Sequence, residues 1–244
     1  MFNFRLWHYD ELPRWLQIES NVFIHTGYLC QPSTTLVKNA LIATFGCLHN
    51  ETGNIWSHLL GTVAYLWLSY AAVADGVIDT SSSEQMLVFS LVVLGSLACL
   101  GFSALSHILR PHSHDALHCS RALDYCGISA TIVCGVVPIL YFCLGCFANI
   151  QRFWTVLFVV IGVSGIAMPW LPQFGTKSFQ PIRVSIFVAM VVVASAPIIH
   201  ASLLLPPSPV TLQVLYGLKM MFAMYGLGVV VFVTKVPERW FPGR

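Results

Sequence analysis

The chain has 244 residues, of which 57% are apolar and only 9% are charged, and its formal net charge is +2. Soluble domains carry about 25% charged residues, so a water-soluble fold is excluded and lipid must be the solvent. Such a small net charge also argues against a nucleic-acid partner, which selects clustered basic residues. The eight cysteines lie mostly in apolar runs and are interpreted as small buried hydrophobic residues.

The N-terminal part of the chain, residues 1–53, mixes apolar residues such as Trp7, Trp15, Leu36 and Phe45 with polar ones. This spacing predicts a cytosolic amphipathic N-terminal segment of short helices at the membrane interface, with tryptophan as an anchor. The alternative is a partly disordered tail that docks against the rest of the protein.

The remainder, residues 54–244, contains six segments that reach the roughly 20 apolar residues needed to cross a bilayer. They predict an all-α integral membrane protein, a helical bundle with six transmembrane spans. The third and fourth segments nearly touch in sequence, so we expect them to form a tight antiparallel hairpin. The predicted spans are 54–76, 86–109, 122–146, 150–171, 183–205 and 211–235.

Lysine and arginine are distributed unequally between the two sides that these spans define. Ten basic residues fall on the side of the N-terminus, whereas the opposite side has only Arg152, and Lys219 lies within the sixth span. Cytosolic loops carry the excess of basic residues in membrane proteins. The N-terminus is therefore predicted to be cytosolic, and Asn50, although it begins a glycosylation sequon, is predicted to carry no glycan.

Asp124 is the one acidic residue placed where a predicted span begins, since the other nine fall in tails or loops. An ionisable residue at membrane depth is a candidate for function by default. The alternative is an interfacial aspartate that only stabilises a helix N-terminus through the helix dipole.

Ser103 and His107 lie four residues apart near the cytosolic end of the second span, and therefore on one helix face. Because Asp124 lies at the same side of the membrane on the third span, we expect the three side chains to converge near one depth. Such a group is a candidate catalytic or metal site. The alternative for His107 is a simple hydrogen bond to a neighbouring helix.

Other residues of metal-binding type favour simpler interpretations. A histidine-rich loop after the second span lacks the regular spacing of a structural zinc site, so it is interpreted as solvated or as a loose surface site. His58, His200 and the single CxxC motif of Cys143 and Cys146 are interpreted as packing or interhelical hydrogen-bonding groups. The loop residues are His112, His114, Asp115, His118 and Cys119.

Four ordered motifs support a resemblance to a known family. The run from His49 to Gly61 resembles the signature of the progestin and adipoQ receptor family, which includes adiponectin receptors and is related to haemolysin III. Three further stretches fit the same family in the same order, and the resemblance runs from about residue 7 to the end of the chain. These stretches are Ser103 to His107, Leu123 to Ile128 and Val236 to Gly243.

The resemblance implies a bundle of seven helices with a cytosolic N-terminus, which agrees with the orientation predicted from the basic residues. It implies an intramembrane zinc ion with His107 as one ligand, Asp124 holding a zinc-bound water and Ser103 as a neighbouring polar group. The family's other two ligands form a His-x-x-x-His pair in the seventh helix. The sequence stops at Arg244, before such a helix, so we expect this chain to bind zinc weakly or not at all.

The function implied by the resemblance is that of a membrane receptor with a zinc-dependent hydrolase site for the amide of ceramide or a related sphingolipid, incomplete in this chain. The alternatives are a non-enzymatic membrane scaffold or signalling regulator, and a role in zinc or lipid homeostasis. Expected partners are membrane lipids and an extracellular ligand or a cytosolic signalling protein. The expected location is the plasma membrane, the Golgi or another endomembrane.

The predicted orientation can be tested in intact cells that display the protein at their surface. A tag fused to Met1 is expected to resist external protease, whereas the Ser81→Cys variant is expected to react with a membrane-impermeant thiol reagent, because residue 81 follows the first span. The unsubstituted chain measures the background from native cysteines. Cleavage of the tag together with protection of the introduced cysteine would reverse the orientation.

Overall fold

The computed structural model describes residues 5–19, 21–30, 35–206 and 208–243. Within these residues the chain forms eight α-helices and one short antiparallel strand pair, β1 (Leu6–Trp7) and β2 (Tyr28–Leu29). The predicted all-α class is confirmed, apart from these two short strands. The helices are α1 (Arg14–Glu19), α2 (Leu36–Leu41), α3 (Thr52–Ala74), α4 (Ser83–Leu109), α5 (His114–Pro138), α6 (Ala148–Ala167), α7 (Gln180–Leu204) and α8 (Pro209–Thr234).

Five helices in the described part of the chain, α4 to α8, are long and apolar enough to cross a membrane. The first predicted span, α3, has 23 residues and reaches about 34 Å at 1.5 Å per residue. Its most apolar stretch is less apolar than those of the other five, because Asn54, Ser57 and His58 lie in its first two turns. Five of the six predicted spans, α4 to α8, are therefore supported by both length and composition. The remaining span, α3, is supported by its length.

A contact between the two ends of the described chain bears on the number of membrane crossings. The backbone N–H of Gly243 donates to the carbonyl oxygen of Phe23 at 2.9 Å. The residues before α3 and those after α8 therefore lie on the same side of the bundle, which requires an even number of crossings between them. The apolar helical segment Leu36–Gly46 is too short to span a bilayer, so α3 is the helix that completes six.

The third span begins earlier than predicted. Instead of starting near residue 122, α5 starts at His114, because the Ser113 hydroxyl accepts a hydrogen bond from the backbone N–H of Ala116 and caps the helix. The connection from α4 is therefore short, and Arg121, which was expected in a loop, lies within α5. Beyond its last residue α5 continues into a π-helical turn (Ile139–Cys143), and α6 then packs back against it in the predicted hairpin.

The N-terminal segment is folded and docks against the bundle. β1 pairs with β2, and the prediction of helices alone missed this pair because strands of two residues are too short to show an alternating pattern. Leu29 of β2 and Ile42 are buried together with Ile55 of α3. The described part of residues 1–53 therefore packs against α3.

α4 and α5 approach so closely that glycine is required where they cross. A Cβ atom at Gly127 would lie 2.8 Å from the Cα of Cys99 and 2.9 Å from the carbonyl oxygen of Ala98. A Cβ atom at Gly95 would lie 2.7 Å from the Cβ of Cys134. Small residues at an interface let membrane helices pack backbone to backbone. This contact fixes the height of α4 relative to α5, and with it the relative positions of their polar side chains.

The close crossing predicts a specific sensitivity. The Gly127→Ala variant is expected to lose about 1–3 kcal/mol of stability, because the added methyl group forces the two backbones apart. A methyl group added at Gly135, also on α5, would meet no atom of the described residues within 4 Å beyond its own stretch of helix, so Gly135→Ala is the matched control. Thermal unfolding in detergent measures both variants, and an equal midpoint for Gly127→Ala and the parent would contradict the packing.

Candidate functional site

A buried carboxylate lies at the start of α3 and joins it to α4. The imidazole Nδ1 of His107 lies 2.7 Å from Oε2 of Glu51, and Nη1 of Arg110 donates to Oε1 at 2.8 Å. Nδ2 of Asn54 donates to Oε2 at 2.9 Å. The Glu51 side chain is only 8% exposed, so these three donors replace the water that the carboxylate would otherwise bind.

The ionisation of Glu51 follows from these neighbours. Burial raises the pKa of the Glu51 carboxyl, but the positive charge of Arg110 and the hydrogen bond from His107 oppose this effect and hold the pKa far below its usual range. Because an ionised carboxylate only accepts hydrogen bonds, Nδ1 of His107 must carry a proton. In the neutral imidazole this leaves the lone pair on Nε2 of His107.

A second chain of polar contacts adjoins this one. Nε2 of His58 lies 3.3 Å from Oγ of Ser103, and the Asp124 carboxylate lies near the Ser103 hydroxyl. The rings of His58 and His107 stack, with centroids 6.0 Å apart and planes at 22°. Asp124 is also close enough to His107 and Arg110 for electrostatic attraction. The two chains together form one polar cluster at the end of the bundle that carries the N-terminal segment.

The structure brings together the three residues that the sequence placed at one depth, Ser103, His107 and Asp124. Their chemical roles stay predictions. His58 was interpreted as a packing or interhelical hydrogen-bonding residue, and its contacts with Ser103 and His107 of α4 agree with this interpretation.

Sequence reasoning missed Glu51 and Arg110. Glu51 was counted among acidic residues in tails and loops, although it belongs to the motif that runs from His49 to Gly61. The signal that was available is its place directly before α3, three residues ahead of Asn54, where a carboxylate faces the orphan N–H groups of a helix start. Arg110 was counted only for orientation.

The fit of this cluster to zinc is partial. A histidine ligand usually donates its second ring N–H to a carboxylate, and the contact from His107 to Glu51 has this form. However, the described residues contain no group of three or more histidine, cysteine, aspartate or glutamate side chains that could hold a metal ion. Catalytic zinc takes three protein ligands. The described part of the chain therefore orients one ligand and does not complete a site.

The histidine-rich stretch after α4 does not provide a replacement site within the described residues. The stretch is not a loop throughout, because α5 starts at His114. His114 Nδ1 and Asp115 Oδ1 lie 3.5 Å apart, and both side chains are exposed. For His114 and Asp115 this agrees with the interpretation of a solvated surface group.

The remaining candidates divide between packing and exposure. Nδ1 of His200 accepts a hydrogen bond from Nε1 of Trp154 at 3.2 Å, which ties α7 to α6 as the interhelical interpretation predicts. Cys143 packs against a buried cluster that includes Leu140, but Cys146 is exposed. The packing interpretation of the CxxC motif therefore holds for its first cysteine only.

Apolar helices of membrane-spanning length, with a buried charge cluster at one end, define a multi-pass helical membrane protein. A family model described as haemolysin-III related matches residues 47–244. The chain is 31% identical over 243 residues to Adiponectin receptor protein of Drosophila melanogaster, which covers 99% of this chain. It is 30% identical over 277 residues to Heptahelical transmembrane protein 3 of Arabidopsis thaliana, with 98% of this chain and 78% of that protein covered.

The chain belongs to the haemolysin-III-related family of adiponectin receptor-like proteins, as its four motifs predicted. Progestin and adipoQ receptor-like protein 1 of Caenorhabditis elegans is a further relative, 31% identical over 245 residues and 97% of this chain. The chain spans about half the length of the fly and nematode relatives, 53% of each.

The contacts of Glu51 predict a strong effect of removing its charge. Glu51→Gln is expected to lose about 3 kcal/mol of stability, because Arg110 then keeps a largely buried charge without its carboxylate. Glu51→Gln/Arg110→Gln is expected to recover part of the loss, and Glu11→Gln, at an exposed ion pair, is expected to change little. Thermal unfolding in detergent measures the series. A parent-like midpoint for Glu51→Gln would show that the cluster does not hold α3 to α4.

Proposed function

We propose that this protein is an adiponectin receptor-like membrane protein whose polar cluster forms part of a zinc-dependent intramembrane hydrolase site for a lipid amide of the ceramide type. The observation that carries the proposal is the convergence of Ser103, His107 and Asp124, with Nδ1 of His107 held by a carboxylate. These are the positions at which the family motif places a serine, a zinc ligand and an aspartate.

Each residue has a distinct task in this proposal. Glu51 holds the proton of His107 on Nδ1 and so leaves Nε2 as the ligand atom. The Ser103 hydroxyl orients the Asp124 carboxylate, which accepts a proton from the attacking water. A bound zinc ion would supply Lewis-acid activation of the water and of the amide carbonyl. The described residues supply one of the three protein ligands that catalytic zinc takes.

The proposed reaction is hydrolysis of an amide at the membrane surface. The oxygen of water adds to the carbonyl carbon, the C–N bond breaks, and the leaving amine takes up a proton, which gives a sphingoid base and a fatty acid. The cluster lies where α3, α4 and α5 meet, close to the end of their apolar lengths. A lipid with its amide at the interface and its chains among the helices has the form that this position favours.

A second candidate function is a non-enzymatic membrane receptor or scaffold. Both oxygens of Glu51 are already bound, by His107, Arg110 and Asn54. The described residues hold no three-ligand group. On this view the cluster joins α3 to α4, and signalling depends on the shape of the bundle.

The two candidates are separated by the zinc content and ceramide turnover of detergent-purified protein extended by a seventh helix that carries the family's His-x-x-x-His pair. If the hydrolase proposal holds, His107→Ala is expected to lower bound zinc and activity together, because it removes a ligand. Asp124→Ala is expected to keep most of the zinc and to lose about 100-fold or more in activity, because it removes a proton acceptor. His114→Ala, which changes an exposed histidine, is the matched control.

Two results would contradict the hydrolase proposal. Protein extended by a seventh helix with the His-x-x-x-His pair that still contains no stoichiometric zinc and leaves ceramide intact would reject the hydrolase and favour the scaffold. Zinc that persists at full stoichiometry in His107→Ala would show that its ligands lie elsewhere.

A further inference from the structure

Basic and aromatic side chains meet beyond the end of α8, on the side predicted to be cytosolic. Lys177 lies in the connection between α6 and α7, and Lys235 and Arg239 follow α8. None of these three forms a salt bridge with a residue that the structure describes. Trp240 and Phe241 come next and are 69% and 53% exposed. We call these five residues the basic rim.

Lys177 and Lys235 of the basic rim lie close enough for their charges to interact. Burial lowers the pKa of Lys235, the charge of Lys177 lowers it further, and Glu238 acts in the opposite direction. The ammonium groups of the two lysines are thus close enough to repel. Arg239 is exposed and follows Lys235 closely in the chain. The carboxylate of Glu238 balances only one of these three positive charges, and an anionic partner would neutralise the rest.

The backbone at Lys235 is a second observation. Lys235 adopts a left-handed conformation, with φ 54° and ψ 41°, at the C-terminal cap of α8. This position favours glycine or asparagine, because a Cβ atom is strained there. The conformation turns the chain back across the end of the bundle, where Gly243 is hydrogen-bonded to Phe23. Glycine would adopt this left-handed conformation with less strain than lysine. The turn alone therefore does not explain why a lysine occupies position 235.

The connection that carries Lys177 is held firmly by α7. The Arg183 guanidinium donates to the carbonyl oxygen of Phe174 and, at 3.4 Å, to that of Thr176. The same guanidinium lies over the Tyr125 ring of α5, 5.0 Å from its centroid. Thr176 directly precedes Lys177, so the backbone beside this lysine is fixed before any ligand binds.

We propose that the basic rim binds the phosphate headgroup of an anionic lipid in the cytosolic leaflet. Lys177, Lys235 and Arg239 contact the phosphate, and Trp240 and Phe241 lie among the lipid at the level of the headgroups. Each lysine or arginine beside the cytosolic membrane surface is attracted to anionic lipid headgroups, and exposed aromatic rings are typical of the membrane interface. The proposal is independent of the hydrolase site.

Native mass spectrometry of the detergent-purified chain provides the test, with short-chain phosphatidylinositol bisphosphate as probe and phosphatidylcholine as the neutral lipid. The parent is expected to bind the anionic probe selectively. Lys177→Gln/Lys235→Gly is expected to weaken binding about 25-fold, because each basic residue near the surface contributes a factor of about five. The glycine also relieves the backbone at residue 235, so folding is expected to be retained.

The matched control is Arg14→Gln/Lys38→Gln, which removes the same charge from exposed positions of the N-terminal segment. Lys177→Gln/Arg239→Gln, at two exposed positions, repeats the test without touching the turn at Lys235. Parent-like binding by both rim variants would overturn the proposal, and so would an equal loss in the control. Binding of soluble inositol phosphate as tight as that of the lipid would identify a free anion as the ligand and overturn the lipid assignment.

Discussion

Glu51 places a negative charge at the junction of the N-terminal segment and α3, and such a charge is stable inside a protein only when it is paired. His107 and Arg110 supply the pairing, and both belong to the end of α4. Because both partners lie at the end of α4, their contacts with Glu51 fix how far α4 is rotated about its axis and shifted along it relative to α3. The contact with Glu51 also determines that Nδ1 is the ring nitrogen of His107 that carries the proton. The ionised Glu51 carboxylate therefore governs both the packing of the helices and the chemistry of the cluster.

The crossing of α4 and α5 adds a second constraint to the first. Gly127 allows the two backbones to touch, and side chains farther along both helices are then held at a fixed separation. Ser103 and Asp124 lie near each other because of this approach. Three helices are thereby joined at one end of the bundle, by charge between α3 and α4 and by close packing between α4 and α5.

The elements that sequence predicted well are those governed by apolar length. Segments of about 20 apolar residues must become helices in lipid, and spacing along α4 was enough to place Ser103 and His107 on one face. The start of α5 was missed because it depends on a local cap at Ser113. Glu51 was missed because its importance arises from Arg110, which is distant in sequence and reaches it only through tertiary packing.

The hydrogen bond between Phe23 and Gly243 has a consequence for the biogenesis of the protein. During synthesis the N-terminal segment leaves the ribosome first, whereas its partner emerges after all the long helices. At about 5–20 residues per second this interval is roughly 10–40 s. Throughout that time the surface that later meets residue 243 is uncovered, and α8 must reach its place before this face of the bundle can close. Chaperones and proteases on that side of the membrane therefore meet the beginning of this chain in a state that the folded protein no longer presents.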